Sequence, residues 1–82
     1  MDVGFGTKSA FAYKTIKNDI IEGRYSPGDR VKISKLTKDI NISGIPIREA
    51  LQRLESEGFV ENTPHVGFKV TRPEFEKYTD VF

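Results

Sequence analysis

Cysteine is absent from the 82 residues, and histidine occurs once, at His65. Without thiols there is no disulfide framework and no thiolate metal site, and a reducing cytoplasm is the expected setting. Acid–base or metal chemistry needs clustered histidines, carboxylates or cysteines, and His65 stands alone in a hairpin tip. Glu49, Glu55, Glu57 and Glu61 read as solvated charge, and Glu55 and Glu57, two apart, cannot face each other on a helix. No serine has a base near it in sequence. The expectation is a chain that is not an enzyme and holds no cofactor. No continuous apolar run marks a signal peptide or a membrane span, so no membrane partner is expected. Internal repeats and low-complexity tracts are missing as well.

A large excess of one charge is also missing. Thirteen Lys/Arg stand against twelve Asp/Glu, a net charge of +1, which argues against a general nucleic-acid glue. The distribution is nevertheless lopsided. Residues 1–48 carry nine Lys/Arg and five Asp/Glu (+4), and residues 49–82 carry four and seven (−3). Lys14, Lys17, Arg24, Arg30, Lys32, Lys35 and Lys38 concentrate in the first half as a modest electrostatic footprint. The length suits one domain near the lower limit for a self-sufficient core.

What is present is most informative from Asp39 to Val60. Ile33, Leu36 and Ile40 recur at helical spacing, predicting a helix over Lys32–Ile40. Asn41 tolerates the left-handed conformation that reverses the chain, and Ile42 plugs the corner. Ser43 is placed to cap the next helix, and Pro46 sits in its first turn, where a missing N–H costs little. Ile47, Ala50, Leu51 and Leu54 mark one buried face of a helix running over 44–57. Gly58 stops it, and Phe59 is placed to pack on the last turn. Upstream, Tyr13, Ile16 and Ile20 predict a helix over Ser9–Glu22 with Gly23 as its stop. Ser26-Pro27-Gly28-Asp29 is a turn, and a brief strand follows at Arg30–Lys32. Downstream, Phe59–Asn62 and Phe68–Thr71 pair as a hairpin through Thr63-Pro64-His65-Val66-Gly67. Val31, Val60, Phe68 and Val70 join the expected core. The fold class is mainly α with a small β-hairpin wing. It is a winged helix-turn-helix of three helices plus a two- or three-stranded antiparallel sheet.

In such a module the second helix of the turn enters the DNA major groove. At 100° per residue, Ile45, Arg48, Glu49 and Gln52 fall opposite the apolar stripe. Arg48 offers a fork of donors to guanine, Gln52 a donor–acceptor pair to adenine, and Ile45 an apolar contact for a thymine methyl. Lys35 and Lys38 project away from the Ile33/Leu36/Ile40 face toward phosphates. His65, at the wing tip, is placed for minor-groove or phosphate contact. The competing reading is a winged helix used for protein interaction without DNA contact.

The run SGIPIREALQRLESEGFV, residues 43–60, resembles the end of the DNA-binding domain of the GntR family of bacterial transcriptional regulators, in its FadR-like subfamily. The resemblance rests on Pro46, Arg48 to Leu51, Arg53, Leu54, Glu57, Gly58 and Val60. It extends outward through Glu22-Gly23, Pro27 to Val31, Leu36 to Ile42, and Gly67 with Val70, covering about Ala12 to Thr71. Arg48 is the family's helix arginine that this chain keeps, and the candidate DNA-contacting residues of the helix and wing are Ser43, Gly44, Ile45, Pro46, Arg48, Gln52, His65 and Gly67. Two positions depart from the pattern. Gly44 stands where the family usually has an operator-contacting arginine, and Val66 where it often has a basic residue. The usual operator sequence is therefore not expected, and direct readout should be weaker than in relatives.

Residues 1–8 read as a flexible N-terminus and 9–72 as the winged helix-turn-helix domain. After Arg72-Pro73, Phe75, Tyr78, Val81 and Phe82 recur at helix-like spacing. In the FadR-like pattern the wing leads to the first helix of an all-helical effector-binding domain. Residues 73–82 are accordingly expected as the linker or start of a helix into such a domain, which would bind a small-molecule effector and make the homodimer. The alternative is a complete protein whose last helix folds onto its first. The partner expected for the dimer is double-stranded DNA with a palindromic operator, at the nucleoid of the cytoplasm.

Overall fold

The computed structural model describes residues 6–71. The expectations for residues 1–5 and for the aromatic run Phe75, Tyr78, Val81 and Phe82 lie outside these residues. The described elements are, in order, α1 (Thr7–Ile21), β1 (Arg30–Val31), α2 (Ile33–Ile40), α3 (Gly44–Ser56), β2 (Val60–Thr63) and β3 (Gly67–Val70).

Helix α1 buries Ser9, Ala12, Ile16 and Ile20, a stripe spaced by three and four residues. It starts at Thr7, inside the stretch expected to be a flexible N-terminus. Ala12 and Ser9 were absent from the expected core, because a small side chain contributes little to an apolar pattern. Tyr13 is only half-buried, since its hydroxyl donates to a Glu57 carboxylate oxygen at 2.6 Å and its ring must end at the surface.

The turn at Ser26–Asp29 forms as expected. The Asp29 amide donates to the Ser26 carbonyl at 3.0 Å, and Gly28 takes the positive φ, 91°, that the corner requires. This turn also anchors the sheet: the Gly28 amide donates to the Val70 carbonyl and the Val70 amide to the Asp29 carbonyl. The sheet is three-stranded and antiparallel in the order β1-β3-β2, with Val31 opposite Phe68 and Val60 opposite Val70. These four side chains face the core, where they join Leu36, Ile47, Ala50, Leu51 and Leu54.

Asn41 closes α2 in the left-handed conformation, φ 55° and ψ 46°. Ile33, Ile40 and Ile42 lie only partly buried against the core. Helix α2 is eight residues long and packs chiefly on α3, so the ends of its apolar stripe overhang the contact. Ser43 occupies the N-cap of α3 with extended backbone, but its hydroxyl makes no capping bond, contrary to expectation. At the other end the Phe59 amide donates to the Leu54 carbonyl and the Gly58 amide to the Glu55 carbonyl. That is a complete Schellman closure, which ends α3 at Ser56, one residue early.

Among the described residues no helix is long and apolar enough to cross a membrane.

Candidate nucleic-acid interface

One side of α3 is consumed by folding. Ile47, Ala50, Leu51 and Leu54 are fully buried, so α3 is held on that face and rotationally fixed. The opposite side is thereby presented outward: Arg48 and Gln52 are exposed, and Ile45 keeps 73% of its surface in solvent. Arg48 and Gln52, four apart, make no hydrogen bond or ion pair among the described residues. Glu49 is a correction. It is half-buried rather than on the outer face, and its carboxylate accepts a bond from the Ser9 hydroxyl of α1. That contact turns toward α1 the carboxylate that 100° spacing had placed beside Arg48.

At the N-terminus of α3, Gly44 lies close to α2, Pro46 is half-buried in the first turn, and Ser43 is exposed. A Cβ at Gly44 would meet Ile33 Cγ2 at 3.6 Å, an ordinary van der Waals contact. The position therefore accepts a side chain.

The wing stands beside this helix. The Val66 amide donates to the Thr63 carbonyl at 3.1 Å across the tip, and His65 takes a positive φ of 68°. Histidine is among the non-glycine residues that tolerate this region best. His65 is exposed, while Gly67 opens β3. Arg30, on β1, reaches over the sheet edge and donates from Nη2 to the Val66 carbonyl at 3.1 Å. It thus ties β1 to the tip of the wing.

Between α3 and the wing lies a cleft of about 250 Å³, lined by Arg30, Val31, Lys32, Ile33, Arg48, Asn62, Val66, Gly67 and Phe68. Three of these residues are cationic and none is acidic. On the far side of β1 a second hollow, of about 600 Å³, shares Arg30 and Lys32 but also carries Asp19, Asp29 and Asp39. Arg24 and Lys35 line that hollow too, so Arg30 and Lys32 border one hollow of mixed charge and one carboxylate-free cleft.

The two lysines expected to reach phosphates differ in state. Lys35 Nζ sits 3.0 Å from Asp39 Oδ2, one helical turn on, and hydrogen bonding to that carboxylate raises its pKa. The pair is exposed, so its net worth is small, and a phosphate can displace the carboxylate. Lys38 is exposed and makes no ion pair among the described residues. The sequence placed Arg30 and Lys32 in the basic first half but did not single them out as individual phosphate contacts. Their basic character was visible, but β1 is only two residues long, and its distant neighbours in the cleft come from 17 to 38 positions further along.

This geometry is shared with known proteins. A family model described as bacterial regulatory proteins, gntR family, matches residues 8–70. The HTH-type transcriptional repressor GlaR of Escherichia coli is 33% identical over 70 residues, covering 85% of this chain and 32% of GlaR. A solved GntR-family transcriptional regulator of Pseudomonas syringae superposes with a TM-score of 0.74 at 26% identity, over 89% of this chain and 31% of that one. The AraR DBD in complex with operator ORR3 superposes at 0.72 with 25% identity, over 78% of each chain. These relatives are regulators rather than enzymes. The chain spans 26–32% of the length of three curated relatives it matches.

Proposed function

The chain belongs to the GntR family of bacterial regulatory proteins and is a winged-helix DNA-binding domain; from that premise we propose how it reads an operator. Helix α3 enters the major groove, with Arg48 on a guanine, Gln52 on an adenine and Ile45 against a thymine methyl. Ser43, Gly44 and Pro46 form the leading end of that helix. Lys35 and Lys38 meet phosphates, and His65 and Gly67 flank the minor groove. The observation that carries this reading is the outward face of α3: two polar side chains without partners among the described residues, an exposed isoleucine, and no carboxylate between them.

The test is an affinity titration against salt with an operator obtained by selection from random duplexes. Each phosphate neutralised contributes about −0.9 to the logarithmic salt slope, so binding should fall steeply from dilute to physiological buffer. Arg48→Ala should lose roughly 1–3 kcal/mol of discrimination at one base pair. Lys38→Ala should weaken operator and unrelated DNA alike. Salt-insensitive binding, or an Arg48→Ala protein with unchanged specificity, would contradict the reading. Gly44→Arg restores the residue usual in the resembling family at a position where an added Cβ meets only an ordinary van der Waals contact. It should tighten binding on both classes of DNA and steepen the salt slope; an unchanged slope would mean that residue 44 faces away from the duplex.

Within the family, the run around Arg48 to Gly58 favours the FadR-like group. The protein works as a homodimer on a palindromic operator in the cytoplasm, with dimerisation and small-molecule sensing in a region outside these residues. Supporting this is the length of the relatives, of which the chain spans 26–32%.

A further inference from the structure

A helix in the major groove and a wing beside the neighbouring minor groove are separated by one phosphodiester strand. That strand has to cross the protein surface between α3 and the wing. In this fold the place of crossing is the cleft of about 250 Å³ bordered by Arg30, Lys32 and Arg48. We propose that this cleft is the seat of one DNA backbone phosphate, held by Lys32 and Arg30. The proposal rests on the DNA-binding reading and assigns it two contacts that the family resemblance did not supply.

The chemistry of the lining favours an anion on this side of β1 and not on the other. The cleft has three cationic side chains and no carboxylate, whereas in the hollow behind β1 the four cations Arg24, Arg30, Lys32 and Lys35 share the lining with Asp19, Asp29 and Asp39. Arg30 is already aimed: its Nη2 donates to the Val66 carbonyl at the wing tip, which leaves other N–H groups of the guanidinium for a phosphate oxygen. Lys32 is exposed and makes no ion pair among the described residues, in contrast to Lys35, whose ammonium is shared with Asp39. Arg48 borders the same cleft from the α3 side, so a phosphate seated there sets the register in which Arg48 meets its base. Arg30 has a further part as a positioning residue, because one side chain links the tip of the wing to the strand that carries the seat.

Lys32→Gln is the decisive variant, because an exposed side chain at the start of α2 can lose its charge without disturbing the core. The 82-residue chain is titrated with operator and with unrelated duplex over a salt series. Lys32→Gln should weaken both several-fold and make the salt slope shallower by about 0.9, and Lys32→Arg should restore the slope. Arg30→Lys should keep the slope but weaken binding, since the charge remains and the tether to Val66 is lost. Operators carrying a single neutral methylphosphonate locate the phosphate: at one position per half-site the wild-type loss should vanish in Lys32→Gln. A wild-type chain that binds with a steep slope while Lys32→Gln keeps that slope would overturn the seat alone. A wild-type chain that binds no duplex even in dilute salt would overturn the DNA-binding reading with it.

Discussion

Leu51→Ala is expected to cost about 2–5 kcal/mol of folding stability, the range for emptying a fully buried leucine site. Leu51 has no exposed surface and lies on the face of α3 that packs against α1, the most extensive contact between elements in the fold. Domains of this size bury a small share of their chain surface and sit at the lower end of the usual 5–15 kcal/mol of stability. A single cavity there can therefore unfold a large fraction of the molecules at ambient temperature. Urea denaturation measures the loss, with Gln52→Ala as the reference on the opposite face of the same helix; that exposed change should stay within about 0.5 kcal/mol. A loss below about 1 kcal/mol for Leu51→Ala would mean that the site collapses around the smaller residue. DNA affinity should fall with the folded fraction in Leu51→Ala, whereas Arg48→Ala should lose affinity with stability intact. The two variants thus separate what holds α3 from what α3 presents.

The legible parts of this fold are those encoded within a few residues. Asn41 and Gly58 both fall at backbone corners with positive φ, and each marks a helix end to within two residues. The apolar spacing of Ile47, Ala50, Leu51 and Leu54 identified the buried face of α3, and so the face left for Arg48 and Gln52. The less legible parts depend on what another segment does. Ser43 has the residue type and backbone of an N-cap, yet its hydroxyl leaves the first-turn amides without it. Glu49 sits on the solvent side by helical angle, but the hydroxyl of Ser9, forty residues earlier, donates to its carboxylate across the α1–α3 contact. The basic cleft is the clearest case. Arg30 and Lys32 are ordinary surface residues until β3 pairs with β1 and brings Val66 and Gly67 beside them. Local pattern therefore located the reading helix, while the phosphate side of the interface emerged only from the pairing of distant strands.

A pair of these domains joined by a parallel coiled coil is expected to bind a palindromic operator about 10²–10⁴-fold more tightly than the single domain. One domain offers a short list of contacts: Arg48 and Gln52 on bases, a few lysines on phosphates, and a glycine at residue 44 where a further cation would help. A net charge of +1 adds little attraction at long range. Once one domain is bound, the linked partner meets its half-site at an effective concentration set by the linker, and no new contact is needed. The gain should depend on geometry, peaking when half-sites are about one helical turn, 34–36 Å, apart and falling when half a turn is inserted. Duplexes with one half-site should show almost none of it. Titrating single and joined domains against a spacing series measures this directly. If the unlinked chain already binds the palindrome as tightly as the joined pair, these residues carry their own dimer contact. If no spacing yields a gain, the operator is not a two-fold repeat and the homodimer reading falls.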